Sequence, residues 1–181
     1  MSNYSNQNNL LLTNLIKFYN INDNLQKMLT IINGQSNISL RIVDWFATNY
    51  AKQKFTTYNL KDGSRFKVYN DYKLKLRSYS KKRFDPFCRW ERITIPYNDN
   101  TSIQTTIGQL NFFKWAIENE VVDYIENNYK TIENDMNNRN STSKRKNVKL
   151  QQKTRKKREE LSICASKSIK QEKVSITIKF D

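Results

Sequence analysis

The chain has 181 residues, no histidine, only three glycines and a formal net charge of +15. This length fits one domain with extensions, at about 100 to 200 residues per domain. The lack of histidine excludes His-dependent triads, His general bases and His-ligated zinc, and three isolated glycines cannot form a GxGxxG or Walker loop. The composition therefore predicts no cofactor and no metal site.

The two cysteines, Cys88 and Cys164, lie far apart and have no CxxC partner. This pattern predicts free thiols in a reducing compartment. The apolar stretch LLLTNLI is too short and too polar for a signal core or a membrane span. We expect a soluble protein with no membrane partner.

At the N-terminus, the polar residues 1–9 are predicted to be disordered, and helices are predicted to follow. Apolar residues with helical spacing predict one helix at 11–19 and another at 25–32, with Gly34 as a stop signal. Ser39 is placed to cap a third helix over 40–53. The alternative for the start of this segment is a strand at 38–42, where isoleucine and leucine alternate with other residues.

Two β-hairpins are predicted next. Asp62 and Gly63 form a strong turn signal between aromatic and β-branched runs, and an Asn-Asp-Asn turn separates the second pair. The predicted strand pairs are 55–60 with 65–69 and 91–96 with 102–106.

The stretch Tyr72–Arg92 carries eight basic residues and two acidic ones, interleaved with aromatic residues. We predict a helix from Tyr72 to Lys82, with Leu76 and Tyr79 facing the core, so that most aromatic residues here are structural. The basic side chains are candidates for phosphate contact. These candidates are Lys73, Lys75, Arg77, Lys81, Lys82, Arg83 and Arg89.

A long amphipathic helix is predicted over about 106–137, with Thr106 and Gln109 as a capping box and a break near Asn127. Its six acidic residues exclude it from a phosphate-binding face. A solvated outer face is the preferred interpretation. An acidic docking surface, or a surface that shields the basic stretch, remains open.

Positive charge is concentrated at the end of the chain, with 14 Lys and Arg against 4 Asp and Glu in residues 139–181. Residues 138–160 predict a flexible basic linker that binds a polyanion or carries a nuclear import signal at Lys153–Arg158. A merely solubilising tether is the alternative. The candidate phosphate contacts here are Lys144, Arg145, Lys146, Lys153, Arg155, Lys156, Lys157 and Arg158.

Residues 161–181 form a C-terminal strand segment in which Val174–Phe180 alternates cleanly. The strand is expected to return to its own sheet, or to pair with the edge of a capsid or scaffold protein. The predicted fold class is α+β. One globular domain over 10–137 holds N-terminal helices, a small antiparallel sheet and the long helix.

Three segments together resemble small proteins encoded by nucleocytoplasmic large DNA viruses, the giant viruses: YSKKRFDPFCRWERI, TTIGQLNFFKWAIENEVVDYI and TRKKREELSICASKSIKQEKVSITIKFD. The resemblance runs from about Ile38 to the C-terminus. It implies a viral setting, in the cytoplasmic factory or the virion, and it assigns no catalytic residue. The basic cluster near residue 155 leaves nuclear entry open.

The sequence favours a non-enzymatic nucleic-acid-binding protein, with DNA as the expected partner and little sequence specificity. The alternative is a virion structural or assembly protein that docks through its C-terminal strand. A nuclease is disfavoured because the acidic residues in the basic region have no defensible metal-binding spacing. These residues are Asp62, Asp71, Asp85 and Glu91. The sequence indicates no oligomeric state.

Overall fold

The computed structural model describes residues 2–88, 90–98, 101–148 and 170–173. Within these residues the chain is α+β, as predicted, with eight α-helices, one π-helical turn and five strands. Their order is α1 (Ser2–Tyr19), α2 (Asn24–Ile32), α3 (Leu40–Trp45), the π turn (Phe46–Tyr50), α4 (Ala51–Lys54), β1 (Thr57–Asn59), β2 (Arg65–Lys67), α5 (Val68–Phe84), β3 (Arg92–Asn98), β4 (Thr101–Thr106), α6 (Ile107–Glu118), α7 (Val121–Asn127), α8 (Tyr129–Val148) and β5 (Lys170–Lys173).

Helix α1 begins at Ser2, so the prediction of disorder over residues 1–9 is wrong for the described part of that segment. The C-terminal half of the helix is firmly anchored. Leu15 and Tyr19 are buried, and the Tyr19 hydroxyl donates to the carbonyl of Leu110 at 2.6 Å. Because extending a helix costs much less than nucleating one, this anchored half allows the polar start to continue the same helix.

Local capping signals set the ends of α2 and α3. Gly34 adopts φ +73° after α2, and the N–H of Gln35 donates to the carbonyl of Thr30 at 2.9 Å, which forms a Schellman motif. The Ser39 hydroxyl accepts from the N–H of Ile42 at 3.3 Å. The third helix is therefore confirmed, and the alternative of a strand at 38–42 is wrong.

Both predicted hairpins form. In the turn between β1 and β2, the Asp62 carboxylate accepts from the N–H of Ser64 at 2.8 Å, and Gly63 adopts φ +82°. Strands β3 and β4 pair antiparallel, with Ile95 opposite Ile103 and both side chains buried. The turn chemistry identified in the sequence therefore produces the first hairpin, and apolar alternation sets the buried face of the second.

Strand β5 extends the second sheet by pairing antiparallel to β4, with Thr101 opposite Lys173 and the order β3-β4-β5. This strand precedes the predicted terminal strand, Val174–Phe180, which lies outside the described residues. The segment around residue 170 thus returns to the sheet of its own chain.

Helix α5 begins directly after β2, earlier than the predicted start at Tyr72. Val68, Tyr72 and Phe84 are its buried residues. At Ser80 the backbone leaves the helical region, with φ 64° and ψ 164°, so the helix is kinked before its last turn. The kink was not predicted, because serine carries no sequence signal for this conformation.

The predicted long helix at 106–137 is divided into α6, α7 and the start of α8. Its N-cap is as predicted, since the Thr106 hydroxyl accepts from the N–H of Gln109 at 3.1 Å. Glu120, at φ 54°, separates α6 from α7, and the second break falls at Asn128 beside the predicted position. The first break could not be predicted, because no glycine or proline occurs at that position in the sequence.

Helix α8 continues to Val148, so residues 138–148, predicted as flexible linker, are helical. Ile132 and Met136 are buried in its first half, and the Arg139 guanidinium lies 2.9 Å from the Asp135 carboxylate. Lysine and arginine have good helix propensity, so the basic segment can extend an anchored helix. Residues 149–160 of the predicted linker lie outside the described part.

Four aromatic side chains form the centre of the core between α5 and α6: Tyr72, Phe84, Phe112 and Trp115. Every pair of these rings has centroids 5.7–6.3 Å apart. This cluster fixes α5 against α6 and so decides which side of α5 faces outward. No helix in the described part of the chain is long and apolar enough to cross a membrane.

Candidate nucleic-acid interface

The outward side of α5 is a basic face. Tyr72 is buried and Leu76 and Tyr79 pack against the core, as predicted, so the opposite stripe of the helix is exposed. Lys73 and Arg77, four residues apart, lie on that stripe and are both exposed. The core contacts of the aromatic residues therefore present Lys73 and Arg77 to solvent, whereas Lys75, also a predicted contact, is half-buried.

Among the described residues, no carboxylate forms a salt bridge with the exposed cations of α5. Asp71 is the acidic residue of α5, and its Oδ1 accepts from the indole Nε1 of Trp115 at 2.7 Å. Within the part of the chain that the structure describes, neither Lys73, Arg77 nor Lys81 forms a salt bridge. The charges of these three side chains are therefore unpaired within the described residues.

The last turn of α5 is held tightly against α6. The Asn111 side-chain amide donates to the carbonyl of Arg83 at 2.9 Å. A Cβ atom built on Gly108 would lie 2.9 Å from the carbonyl oxygen of Asp85 and 3.1 Å from that of Lys82. Only glycine allows this approach of the two backbones, so the turn that presents Lys81 has a fixed position.

The remaining basic residues of this turn differ in exposure. The Lys82 ammonium lies 4.8 Å from the ring centroid of Trp90, and its side chain is exposed. Arg83 is half-buried, and its Nε and Nη2 atoms are inaccessible to solvent. Arg83 is thus less available to a phosphate than the sequence suggested. Arg89 lies outside the described residues.

Helix α4 extends the basic face beyond α5. Lys52 and Lys54 are exposed, and the Lys52 ammonium lies 5.7 Å from the ring centroid of Tyr69. Tyr69 precedes Lys73 by one helical turn, so the two basic regions are contiguous. Lys67, also exposed, is the last residue of β2 before α5. The sequence shows these lysines, but only the tertiary contact between α4 and α5 joins them to the predicted set.

Helix α8 meets the same corner of the molecule. The Arg139 guanidinium donates to the side-chain oxygen of Gln53 in α4 and to the Asp135 carboxylate. The Asp135 carboxylate also accepts from the indole Nε1 of Trp45 at 3.1 Å. This network fixes α8 where its basic half begins. Lys144, Arg145 and Lys146 follow within α8, whereas the predicted contacts Lys153, Arg155, Lys156, Lys157 and Arg158 lie outside the described residues.

The acidic residues of α6, of α7 and of the turn between them line a different surface. Glu118, Glu120, Asp123 and Glu126 border a cleft of about 490 Å³ together with residues of α2. Lys61 belongs to this cleft, because its N–H donates to the Glu120 carboxylate at 3.0 Å and its ammonium lies 3.8 Å from the Asp123 carboxylate. These acids therefore do not neutralise the face on α4 and α5.

Three of the four carboxylates considered for a metal site have structural roles, and the fourth, Glu91, is exposed. Asp85 Oδ1 accepts from the N–H of Phe87 at 2.9 Å, while Asp62 and Asp71 hold the hairpin turn and the Trp115 indole. Among the described residues, no three histidine, cysteine or acidic side chains converge on a possible ion position. Burial, together with the charge of Asp85, raises the pKa of Asp44 to about 7.

Comparison with known proteins places the chain among viral proteins. It is 46% identical over 127 residues to an uncharacterized protein of Acanthamoeba polyphaga mimivirus, an alignment that covers 66% of this chain and 49% of the relative. The chain thus spans about half the length of that relative. No solved structure matches it. The resemblance to giant-virus proteins is confirmed, and because the family model matches residues 2–179, the chain belongs to DUF7197, a family of unknown function.

Proposed function

We propose that this protein binds DNA without catalysing a reaction and with little sequence specificity. The observation that carries the proposal is the continuous basic face, which runs over α4 and α5 and reaches the start of the basic half of α8. Among the residues that the structure describes, six basic side chains of this face are exposed and form no salt bridge. They are Lys52, Lys54, Lys67, Lys73, Arg77 and Lys81. A phosphate backbone is the ligand that matches such a row of cations.

The physical basis of binding is release of counterions from the DNA. Each phosphate neutralised by a lysine or arginine contributes about −0.9 to the slope of log K against log salt concentration. Six contacts predict a slope of about −5, and the basic half of α8 adds to it. Lysine ammonium groups are point charges without a fixed geometry, and five of the six members are lysines. The face therefore attracts backbones more than it reads bases.

The test is a salt titration with the full chain. We expect the affinity for a short, fluorescently labelled DNA of random sequence to fall by about 10³ to 10⁵ between 50 and 200 mM salt. Two unrelated sequences of equal length should give nearly equal affinities. A flat salt dependence, or a strong preference for one sequence, would contradict the proposal.

A second candidate function is virion assembly through the C-terminal strand. It is favoured by β5, which lies at the edge of its sheet within the described residues and directly precedes the alternating segment Val174–Phe180. An edge strand can accept a strand from another protein. Deletion of residues 174–180 would then abolish incorporation into particles and leave DNA affinity intact. Incorporation of the truncated chain at the normal level would exclude this role.

A further inference from the structure

Phe55 is an exposed aromatic residue at the junction between α4 and β1. Its side chain is 85% exposed, and it is the most exposed large apolar residue in the described part of the chain. A single exposed apolar residue needs no explanation by itself. Two further observations distinguish this one: its backbone conformation and the charge of its neighbours.

The backbone of Phe55 is in the left-handed region, with φ 49° and ψ 41°, where it terminates α4. This position is usually occupied by glycine or asparagine, and a bulky residue is strained there. The conformation is held locally, because the N–H of Phe55 donates to the carbonyl of Ala51 and its carbonyl accepts from the Thr57 hydroxyl at 3.1 Å. The fold therefore holds a strained phenylalanine whose ring gains almost nothing from burial.

The neighbours of Phe55 along the chain and across the hairpin are basic. Lys52 and Lys54 belong to the turn of helix that Phe55 terminates, and Thr57 pairs with Lys67 across the hairpin. No acidic residue occurs in the sequence from 45 to 61. An exposed ring among cations that can follow a phosphate backbone is the arrangement that proteins use to stack on unpaired bases.

We propose that Phe55 stacks on an unpaired base, and that the preferred ligand of the basic face is single-stranded DNA. This inference rests on the proposed DNA binding. The cations at α4 hold the phosphates on either side of the base, while the ring supplies a contact that charge alone cannot give. Since every base has an aromatic face, stacking adds affinity without sequence preference.

The test compares Phe55→Asn and Phe55→Trp with the unchanged protein. Asparagine suits the left-handed conformation, so the thermal midpoint of Phe55→Asn should be equal to that of the parent or higher. Each protein is titrated with three labelled ligands of equal length: oligothymidylate, an abasic single strand and a duplex. The abasic strand retains the phosphates and lacks the bases.

We expect Phe55→Asn to lose about 5- to 150-fold in affinity for oligothymidylate, with unchanged affinity for the abasic strand and an unchanged salt slope. Phe55→Trp should retain the affinity of the parent, because tryptophan also stacks on a base. Equal binding of oligothymidylate by Phe55→Asn and the parent would overturn the inference while DNA binding itself stands. A larger loss on the duplex would also overturn it, in favour of insertion between base pairs. Failure of the parent to bind any of the three ligands would overturn the proposed function.

Discussion

The indole Nε1 of Trp115 donates to Oδ1 of Asp71 at 2.7 Å and so joins α6 to the first turn of α5. Both residues therefore help to determine which side of α5 faces solvent. Trp115 lies in the aromatic cluster that orients α5. Its hydrogen bond also draws the acidic residue of α5 towards the core, which leaves lysine and arginine on the exposed side.

We predict that Asp71→Ala lowers the free energy of unfolding by about 1–3 kcal/mol, because the largely buried indole N–H loses its acceptor. Urea denaturation measures the change. Asp123→Ala is the control, since among the described residues that carboxylate makes an exposed contact with Lys61, and it should cost less than about 1 kcal/mol. Equal effects of the two substitutions would mean that the indole hydrogen bond does not fix α5.

Gly108→Ala tests the close approach of α6 to the end of α5. Alanine favours a helix over glycine by about 1 kcal/mol, but its Cβ would meet two backbone carbonyl oxygens at 2.9 and 3.1 Å. Backbone atoms cannot move aside as a flexible side chain can. We therefore expect a net loss of about 1–3 kcal/mol in a denaturation experiment. Asn134→Ala, at an exposed position of α8, should be neutral or stabilising, and a stabilised Gly108→Ala protein would show that the helices are farther apart.

The kink in α5 predicts opposite effects for two neighbouring serines. Ser80 has φ 64° and ψ 164°, a conformation that is almost restricted to glycine, so Ser80→Gly should stabilise the protein by about 1–3 kcal/mol. Ser78 lies in the regular part of the helix, where glycine should cost about 0.5 kcal/mol relative to serine. Thermal denaturation of both variants shows whether each substitution raises or lowers the stability. Destabilisation by both would indicate that α5 is straight at Ser80.

The carboxyl group of Asp44 predicts a specific pH dependence. Burial and the charge of Asp85 raise its pKa to about 7 from the usual 3.8. The folded protein therefore binds one more proton than the unfolded chain between these values, and stability falls as the pH rises through this range. Asp44→Asn removes the effect, and its advantage over the parent should be larger at pH 8 than at pH 4, by up to about 4 kcal/mol.

The measurement for Asp44 is urea denaturation of both proteins at the two pH values. Glu126→Gln provides the control, because it also replaces a carboxyl group by an amide, at an exposed position of α7. An advantage of Asp44→Asn that does not vary between pH 4 and pH 8 would show that the pKa of this carboxyl is the same in the folded and the unfolded protein.

Some of the fold could be predicted from the sequence because its signals are local. Ser39, Thr106 and the Asp62–Gly63 pair each form the cap or turn that their residue types favour. The kink at Ser80 and the full length of α8 could not be predicted, since both depend on contacts with distant elements. Serine is not a residue expected at φ 64°, and a basic segment without apolar residues normally indicates a linker.

The candidate site also contains residues whose position could be predicted from the sequence and residues whose position could not. Helical spacing was sufficient to place Lys73 and Arg77 opposite the buried Tyr72. The addition of Lys52 required the contact between α4 and α5. Phe55 was predicted within a strand from its aromatic and β-branched neighbours, and only the structure shows that its ring is exposed. Long-range contacts therefore decide which basic residues share a surface.

The central claim is that the basic face on α4 and α5 binds DNA. It is tested most directly by Lys73→Gln, Arg77→Gln and Lys81→Gln in one protein, compared with a matched triple at Lys17, Lys27 and Lys130, which are exposed on other surfaces. Anisotropy titrations over a range of salt concentrations give the slope for each. We predict that the first triple makes the slope shallower by about 2.7 and weakens binding, whereas the second changes neither appreciably. Equal loss in both triples would contradict the claim, because net charge and not this face would then determine binding.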